Sequence, residues 1–263
     1  MNVSSTVGLF SVNRLNDIES AQNKTTSRIA SGKRIVTASD DAAGLSASTA
    51  LDSVIRGLQG QMANRQDEIS LMQTAEGAMS GMNDMIGRIN ELTVQAANGT
   101  LTDEDRKNMQ FEVDQLRQQV DQTANNTEYN TKKLFDGSFN TALQNGNDFS
   151  IPSMNSAGLG LSNIDLTTQA GANSALSASK EALGTVTSER SRIGAVQNGI
   201  TSEIKVLAQQ LVNTTAAQST ISDADMAQEV INLSREQLQS SVAMSAFKMS
   251  AAQRSQVLSI LGS

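Results

Sequence analysis

The chain of 263 residues sets 20 Lys plus Arg against 27 Asp plus Glu, a net charge of −7 with a pI near 4.7. That balance repels phosphate backbones and anionic lipid, which argues against nucleic-acid and membrane partners. The chain holds no cysteine, histidine or Trp, with one Tyr and six Phe, so thiolate chemistry, the commonest general base and metal ligand, and most stacking surfaces are missing together and neither an enzyme nor a bound cofactor is expected.

Ser, Thr, Asn and Gln make up 97 residues, apolar residues 38%, and Pro152 is the only proline. Small side chains with few aromatics suit long, thin helices that need partners rather than one thick core. No stretch approaches the roughly 18 apolar residues of a membrane span. Met1 to Arg14 lacks the basic region, long apolar run and cleavage site of a secretory signal, so residence in the cytosol or export without a cleaved signal is expected.

In chain order, Ser4 to about Ser31 reads as a mildly amphipathic helix on Leu15, Ile18, Thr25 and Ile29, stopped by Gly32. Lys33 to Ser39 reads as a connector, after which Asp40 or Asp41 can cap the next helix. From about Ala42 to Asn98 the apolar residues Leu58, Met62, Ile69, Met72, Met79, Met82, Ile86 and Ile89 recur close to every 3.5 residues, the pattern of a helix packed along its length. Asn98-Gly99 ends it. Thr102 with Asp103, Glu104 and Asp105 starts another helix, striped by Met109, Val113, Leu116 and Val120 and running out near Tyr129.

From Leu134 to about Thr168 the helical period disappears, and Gly137, Gly146, Pro152, Gly158 and Gly160 separate short apolar pieces such as Asp148–Ile151, a pattern of one or two hairpins. Helical spacing returns from Ala175 on Leu176, Leu183, Val186, Ile193, Val196, Ile200, Ile204, Leu207 and Leu211. Past Ser222 a last amphipathic stretch carries Val230, Leu233, Leu238, Val242 and Phe247 and ends at Val257–Leu261.

The order is palindromic: weak helix, strong helices, small β-rich middle, strong helix, weak helix. The expected fold is mainly α, a long antiparallel helical bundle or coiled-coil rod formed by both chain ends, with a small β-hairpin region in the middle. Three divisions follow: residues 1–40 with 223–263 as a terminal coiled coil that orders only in an assembly, 41–138 with 170–222 as a helical shell, and 139–169 as a short variable segment.

Chemical motifs are sparse. Ser177/Lys180 and Ser245/Lys248 have the spacing of an acyl-transfer pair without its pocket, and read as solvated helix surface. Gly77-x-x-x-Gly81 reads as close packing between helices, and Asp103–Asp105 as a helix start rather than a calcium loop.

Several blocks together resemble bacterial flagellins over nearly all the chain outside the middle. They are Arg14-Leu15, Ser27–Ile35, Ala38–Ser46, Ile89–Gly99, Thr127–Asn130, Lys133–Gly137, Arg192–Asn198, Asp223–Glu229 and Val257–Leu261. The resemblance implies a secreted subunit of the flagellar filament, a homopolymer for motility, exported unfolded through the flagellar type III apparatus without disulfide, metal or cofactor. It implies terminal helices paired around a central channel, with Leu15, Ile18, Ile29, Leu233, Leu238, Phe247, Leu258 and Leu261 in that polymerising inner core, and a middle segment that projects outward. Implied partners are other copies of the chain, an export chaperone on the C-terminal segment from about Asp223, the filament cap, the hook-junction proteins and a host Toll-like receptor.

Carried over by position, the receptor epitope falls on Arg88, Leu92, Gln95 and Glu112, and the leucine-rich end is the part that cytosolic innate sensors read. Gly199 and Thr220 stand where such proteins usually have Arg, which bears on particular contacts rather than on the fold. A hook–filament junction protein shares the terminal helices, but the Ile89–Gly99 block favours the filament subunit.

Overall fold

The computed structural model describes residues 3–142 and 148–261. Long helices dominate: α1 (Val3–Ser31), α2 (Ala42–Ala96), α3 (Asp103–Asn126), α4 (Gln169–Ser222) and α5 (Met226–Leu261). Between α3 and α4 lie two short antiparallel pairs, β1 (Glu128–Tyr129) with β2 (Lys132–Lys133), and β3 (Asn140–Ala142) with β4 (Asp148–Ser150).

The helix ends follow from local chemistry. Gly32 terminates α1 at φ +67°, a left-handed conformation that a Cβ would strain. At the start of α2 the roles of the two aspartates separate: Asp41 Oδ1 accepts the Gly44 N–H at 2.8 Å, whereas Asp40 closes the preceding turn by accepting the Thr37 N–H at 3.1 Å. A capping box opens α3, with Thr102 Oγ1 accepting the Asp105 N–H and the Asp105 carboxylate accepting the Thr102 N–H. Asp225 Oδ1 accepts the Ala227 N–H at 3.0 Å and so caps α5.

The chain forms two compact units, Met1–Gln59 with Gln209–Ser263, and Gly60–Ala208. In the first, α1 and α5 run antiparallel. Arg28 pairs with Glu229, and Thr25, further from the C-terminal end of α1, donates to Glu236, further along α5. The connectors beside them pair as well: Lys33 bridges Asp223, the Arg34 N–H donates to the Ser222 carbonyl at 2.7 Å, and the Ala224 N–H donates to the Gly32 carbonyl at 3.0 Å.

The second unit holds a continuous apolar cluster. Met72, Met79, Met82, Ile86 and Ile89 of α2 meet Val113 and Val120 of α3 and Val186 and Ile193 of α4, all of them buried. Polar cross-links fix α2 antiparallel to α4: Arg65 to Glu203, Glu76 to Arg190, and Asn90 to Ser179. The α2–α3 turn is closed by Arg106, 4% exposed, which donates to the Ala96 carbonyl at 3.2 Å and to the Asn98 carbonyl at 2.8 Å. Those carbonyls have no acceptor role left inside the helix, and a guanidinium also complements the negative end of its dipole.

The structure revises the expectations for the middle of the chain. The first hairpin begins at Glu128, inside the stretch read as the end of a helix, because Asn130 and Thr131 adopt φ of 48° and 66° and form a turn whose twist suits a two-residue connection. The middle segment supplies Phe139, Phe149, Ile151, Met154, Leu159, Leu161, Ile164 and Leu166 to the cluster. Polar residues of α3 hold it there. Gln110 bonds the Ile164 carbonyl and the Leu166 N–H, Arg117 donates to the Ser162 carbonyl, and Asp121 accepts from the Ser156 N–H and hydroxyl. Gly158 is required in this segment, since a Cβ there would lie 2.2 Å from the Ser153 carbonyl oxygen. Gly77 and Gly81 are not sites of close packing, because a Cβ at either meets no described atom within 4 Å.

Candidate functional site

The first candidate surface is the α1–α5 pair. Ile18 is buried, Leu15 and Ile29 are half-buried, and Leu233 and Phe247 on α5 are half-buried. Leu238 is 68% exposed and, with Arg14, Ile18, Arg235, Gln239, Val242 and Ala243, lines a groove between the two helices. Leu258 and Leu261 lie in the last turns of α5, and their side chains fall outside the described residues. Val230, Ile231, Val242, Met244 and Met249 are also exposed. Ile231, Met244 and Met249 escape a reading by helical stripe because α5 places apolar residues on more than one face, and a helix that is apolar around its circumference calls for neighbours on several sides.

Charges frame this pair. Arg28 lies 3.7 Å from Glu229 and 4.0 Å from Asp40. The Thr37 N–H is the main influence holding the Asp40 carboxyl below its ordinary value, with smaller contributions from the Val36 N–H, the Thr37 hydroxyl and Arg28. The anionic form of Asp40 therefore belongs to the folded turn.

The second surface lies on α2 and α3. Arg88 donates through Nε to Glu112 Oε1 at 2.8 Å and through Nη1 to Glu91 Oε2 at 3.1 Å. The Glu112 hydrogen bond is the first cause of a guanidinium pKa raised above its ordinary value. Arg88 and Glu112 side chains are 48% and 45% exposed. Gln95 is exposed on the same helix, whereas Leu92 is only 2% exposed and belongs to the apolar cluster. The structure thus joins Arg88 to Glu112, leaves Gln95 unburied, and turns Leu92 inward, because its position continues the Met82–Ile89 stripe. Sequence reading omitted Val94 and Phe111, exposed at 53% and 68%; two apolar residues outside the stripe give no periodic signal.

Gly199 and Thr220 are both exposed on α4. A Cβ at Gly199 meets nothing within 4 Å, and the Thr220 hydroxyl donates to the Ala216 carbonyl of its own helix. Neither position carries a contact on which the fold depends. Among the described residues, no group of three or more acidic side chains could hold a metal ion, and no helix is long and apolar enough to cross a membrane.

Residues 7–140 match the bacterial flagellin N-terminal helical region, and residues 176–261 match the bacterial flagellin C-terminal helical region. The chain is 33% identical to a flagellin of Bacillus subtilis (strain 168), over 96% of this chain and 97% of the relative. It is 34% identical to the flagellar filament 30.7 kDa core protein of Treponema maltophilum, over 82% of this chain and 85% of that protein. In three dimensions it is similar to the crystal structure of Bacillus cereus flagellin at a TM-score of 0.50 and 23% identity, covering 59% of this chain and 94% of that one, a likeness that bears on the fold alone.

Proposed function

Because the chain belongs to the bacterial flagellin family, a structural component of the flagellar filament, we propose that α1 and α5 are its polymerising surface and that copies of the chain assemble through them into the filament that serves motility. One observation carries this reading: Val230, Ile231, Leu238, Val242, Met244 and Met249 are exposed along a single helix. Apolar side chains in such number on one exposed helix mark a surface to be buried against other chains. Leu15, Ile18, Ile29, Leu233, Phe247, Leu258 and Leu261 belong to the same polymerising layer in this reading.

The proposal extends to partners. An export chaperone would cover the segment from about Asp223 before assembly, and the filament cap and hook-junction proteins would meet the growing and proximal ends. A free subunit would present Arg88, Gln95 and Glu112 to a host Toll-like receptor. The half-exposed Arg88–Glu112 pair supports that placement, while Leu92 would contribute by fixing the helix from within.

Electron microscopy of purified protein with and without short filament seeds tests the assembly reading. Long tubes growing from the seeds are expected. A protein that caps seeds or binds hook ends without elongating them would instead be a junction protein.

A further inference from the structure

We propose that Asn98 is a site of spontaneous deamidation, where the Gly99 backbone nitrogen displaces ammonia from the Asn98 side chain through a succinimide ring. The sequence holds Asn-Gly pairs at 98–99, 145–146 and 198–199, the middle one outside the described residues. Asn98-Gly99 lies in the exposed turn between α2 and α3, whereas Asn198-Gly199 lies within α4. The same dipeptide therefore stands in two environments in one chain.

Three features of the turn favour ring closure. First, glycine gives the attacking residue a wide choice of backbone conformations, and the Gly99 N–H makes no hydrogen bond to a described residue. Second, the carbonyl under attack is already polarised: Asn98 Oδ1 accepts from the Thr100 N–H at 3.2 Å and the Thr100 hydroxyl at 3.1 Å. Those donors point at the oxygen on which negative charge develops when nitrogen adds to Cγ. Third, the Asn98 backbone carbonyl, which shares a peptide unit with the Gly99 nitrogen, accepts from the Arg106 guanidinium at 2.8 Å. A cationic donor on that oxygen withdraws electron density from the peptide and acidifies its N–H, the proton that must leave before attack.

The step balances without a redox partner. Hydroxide removes the Gly99 amide proton, nitrogen bonds to Cγ, and the Cγ–Nδ2 bond breaks as ammonia leaves with a proton from water. Water then opens the ring at either carbonyl, converting Asn98 to an aspartyl residue or its isoaspartyl isomer, so that the net change is uptake of water and loss of ammonia. The new carboxylate would sit at the negative end of the α2 dipole. The isoaspartyl form adds a methylene to the backbone at the turn that Arg106 and Gln169 hold through the Ala96, Ala97 and Asn98 carbonyls.

In α4 the chemistry is blocked. There the Gly199 N–H belongs to the helical hydrogen-bond ladder, and the backbone cannot rotate its nitrogen toward the Asn198 side chain without breaking the helix.

The test is a time course of the full-length protein at mildly alkaline pH, read by peptide mass spectrometry with separation of aspartyl and isoaspartyl products. Asn98 is expected to convert on the order of tenfold faster than Asn198, and the two rates to converge in denaturant, where the ladder is gone. Gly99→Val should slow conversion at Asn98 by about tenfold, because a β-branched side chain hinders the rotation that glycine permits. Thr100→Val keeps the N–H but removes the hydroxyl, and should slow conversion by about threefold. Circular dichroism checks that both variants keep the helical content. Equal native rates at Asn98 and Asn198, or an Asn98 that converts only in denaturant, would overturn the proposal.

Discussion

Arg65 of α2 reaches Glu203 of α4 at 2.6 Å and Glu68 of its own helix at 2.7 Å, and with 5% of its surface exposed it is a buried charge that depends on both carboxylates. It lies on the same α2–α4 seam as the Glu76–Arg190 pair and the Asn90–Ser179 hydrogen bond. A single ionic node of this kind costs desolvation and repays it only in one alignment, so its contribution is to register as much as to stability.

Removing one partner should therefore be worse than losing a surface pair. Arg65→Leu strands two carboxylates and is expected to cost about 2–3 kcal/mol, lowering the melting temperature by about 5–10 °C. The double change Arg65→Leu with Glu203→Leu should recover part of that loss. Thermal and urea unfolding of the single and double variants measures the difference, and a single variant as stable as the parent would show that the node does not determine the fold.

Arg106 predicts a second asymmetry. Its two donor groups serve the Ala96 and Asn98 carbonyls together, a bridge that lysine, with one compact ammonium, cannot reproduce. Arg106→Lys is expected to lose about 1 kcal/mol and Arg106→Ala about 2 kcal/mol, since the buried Ala96 carbonyl then loses its donor while the exposed Asn98 carbonyl keeps the Leu101 N–H. Urea midpoints at constant m-value check both figures.

How far these features were legible follows from the kind of signal each leaves. The periodic stripe from Met72 to Ile89 marks α2 plainly, and Thr102 to Asp105 marks the start of α3, because spacing and caps are local. Arg65 and Arg106 are invisible on the same reading: an arginine looks alike whether it meets solvent or a carbonyl across a turn. Leu92 shows the converse. It falls by position among the residues expected to meet a receptor, yet it extends the core stripe and lies buried. The middle segment was hardest, because its apolar residues obey no period and its place is set by Gln110, Arg117 and Asp121 on another element.

Acid should weaken the caps and turns. The Asp105 carboxyl is held below the ordinary 3.8 chiefly by the Thr102 hydroxyl, and Asp136 and Asp165 are held down chiefly by the hydroxyls of Ser138 and Thr167. A depressed folded-state value means that the unfolded chain takes up protons first as pH falls. This stabilisation is complete above the unfolded value and is lost as pH drops from about 4 through the lower folded values. Urea midpoints recorded across that window should decline with acidification, and Asp105→Asn should decline less steeply. A parallel profile for the variant would show that the capping box does not titrate with folding.

The surface proposed for the receptor gives a prediction in which stability and function separate. Arg88, Glu91 and Glu112 form half-exposed to exposed pairs, and such solvent-screened pairs contribute little to stability. Arg88→Ala and Glu112→Ala should consequently keep their helical signal and melting behaviour while weakening receptor signalling by free subunits in a reporter-cell titration. Undiminished signalling would take both residues out of the proposed epitope.

The division of labour between the units can be tested by cutting the chain. The apolar cluster that includes Met72, Val113, Phe149 and Ile193 draws every member from the Gly60–Ala208 unit, and none from α1 or α5. Deleting residues 1–32 or 223–263 removes one half of the α1–α5 pair, including the Arg28–Glu229 and Thr25–Glu236 contacts, but no member of that cluster. Each truncated chain is expected to keep a cooperative helical melt and to fail to elongate filament seeds. The exposed apolar side chains of α5 sharpen the comparison: the chain lacking residues 1–32 retains them without their helical partner and should self-associate without order, whereas the chain lacking residues 223–263 should stay dispersed. Light scattering beside seeded electron microscopy separates the two, and ordered tubes from either truncation would show that the paired terminal helices are not the polymerising surface.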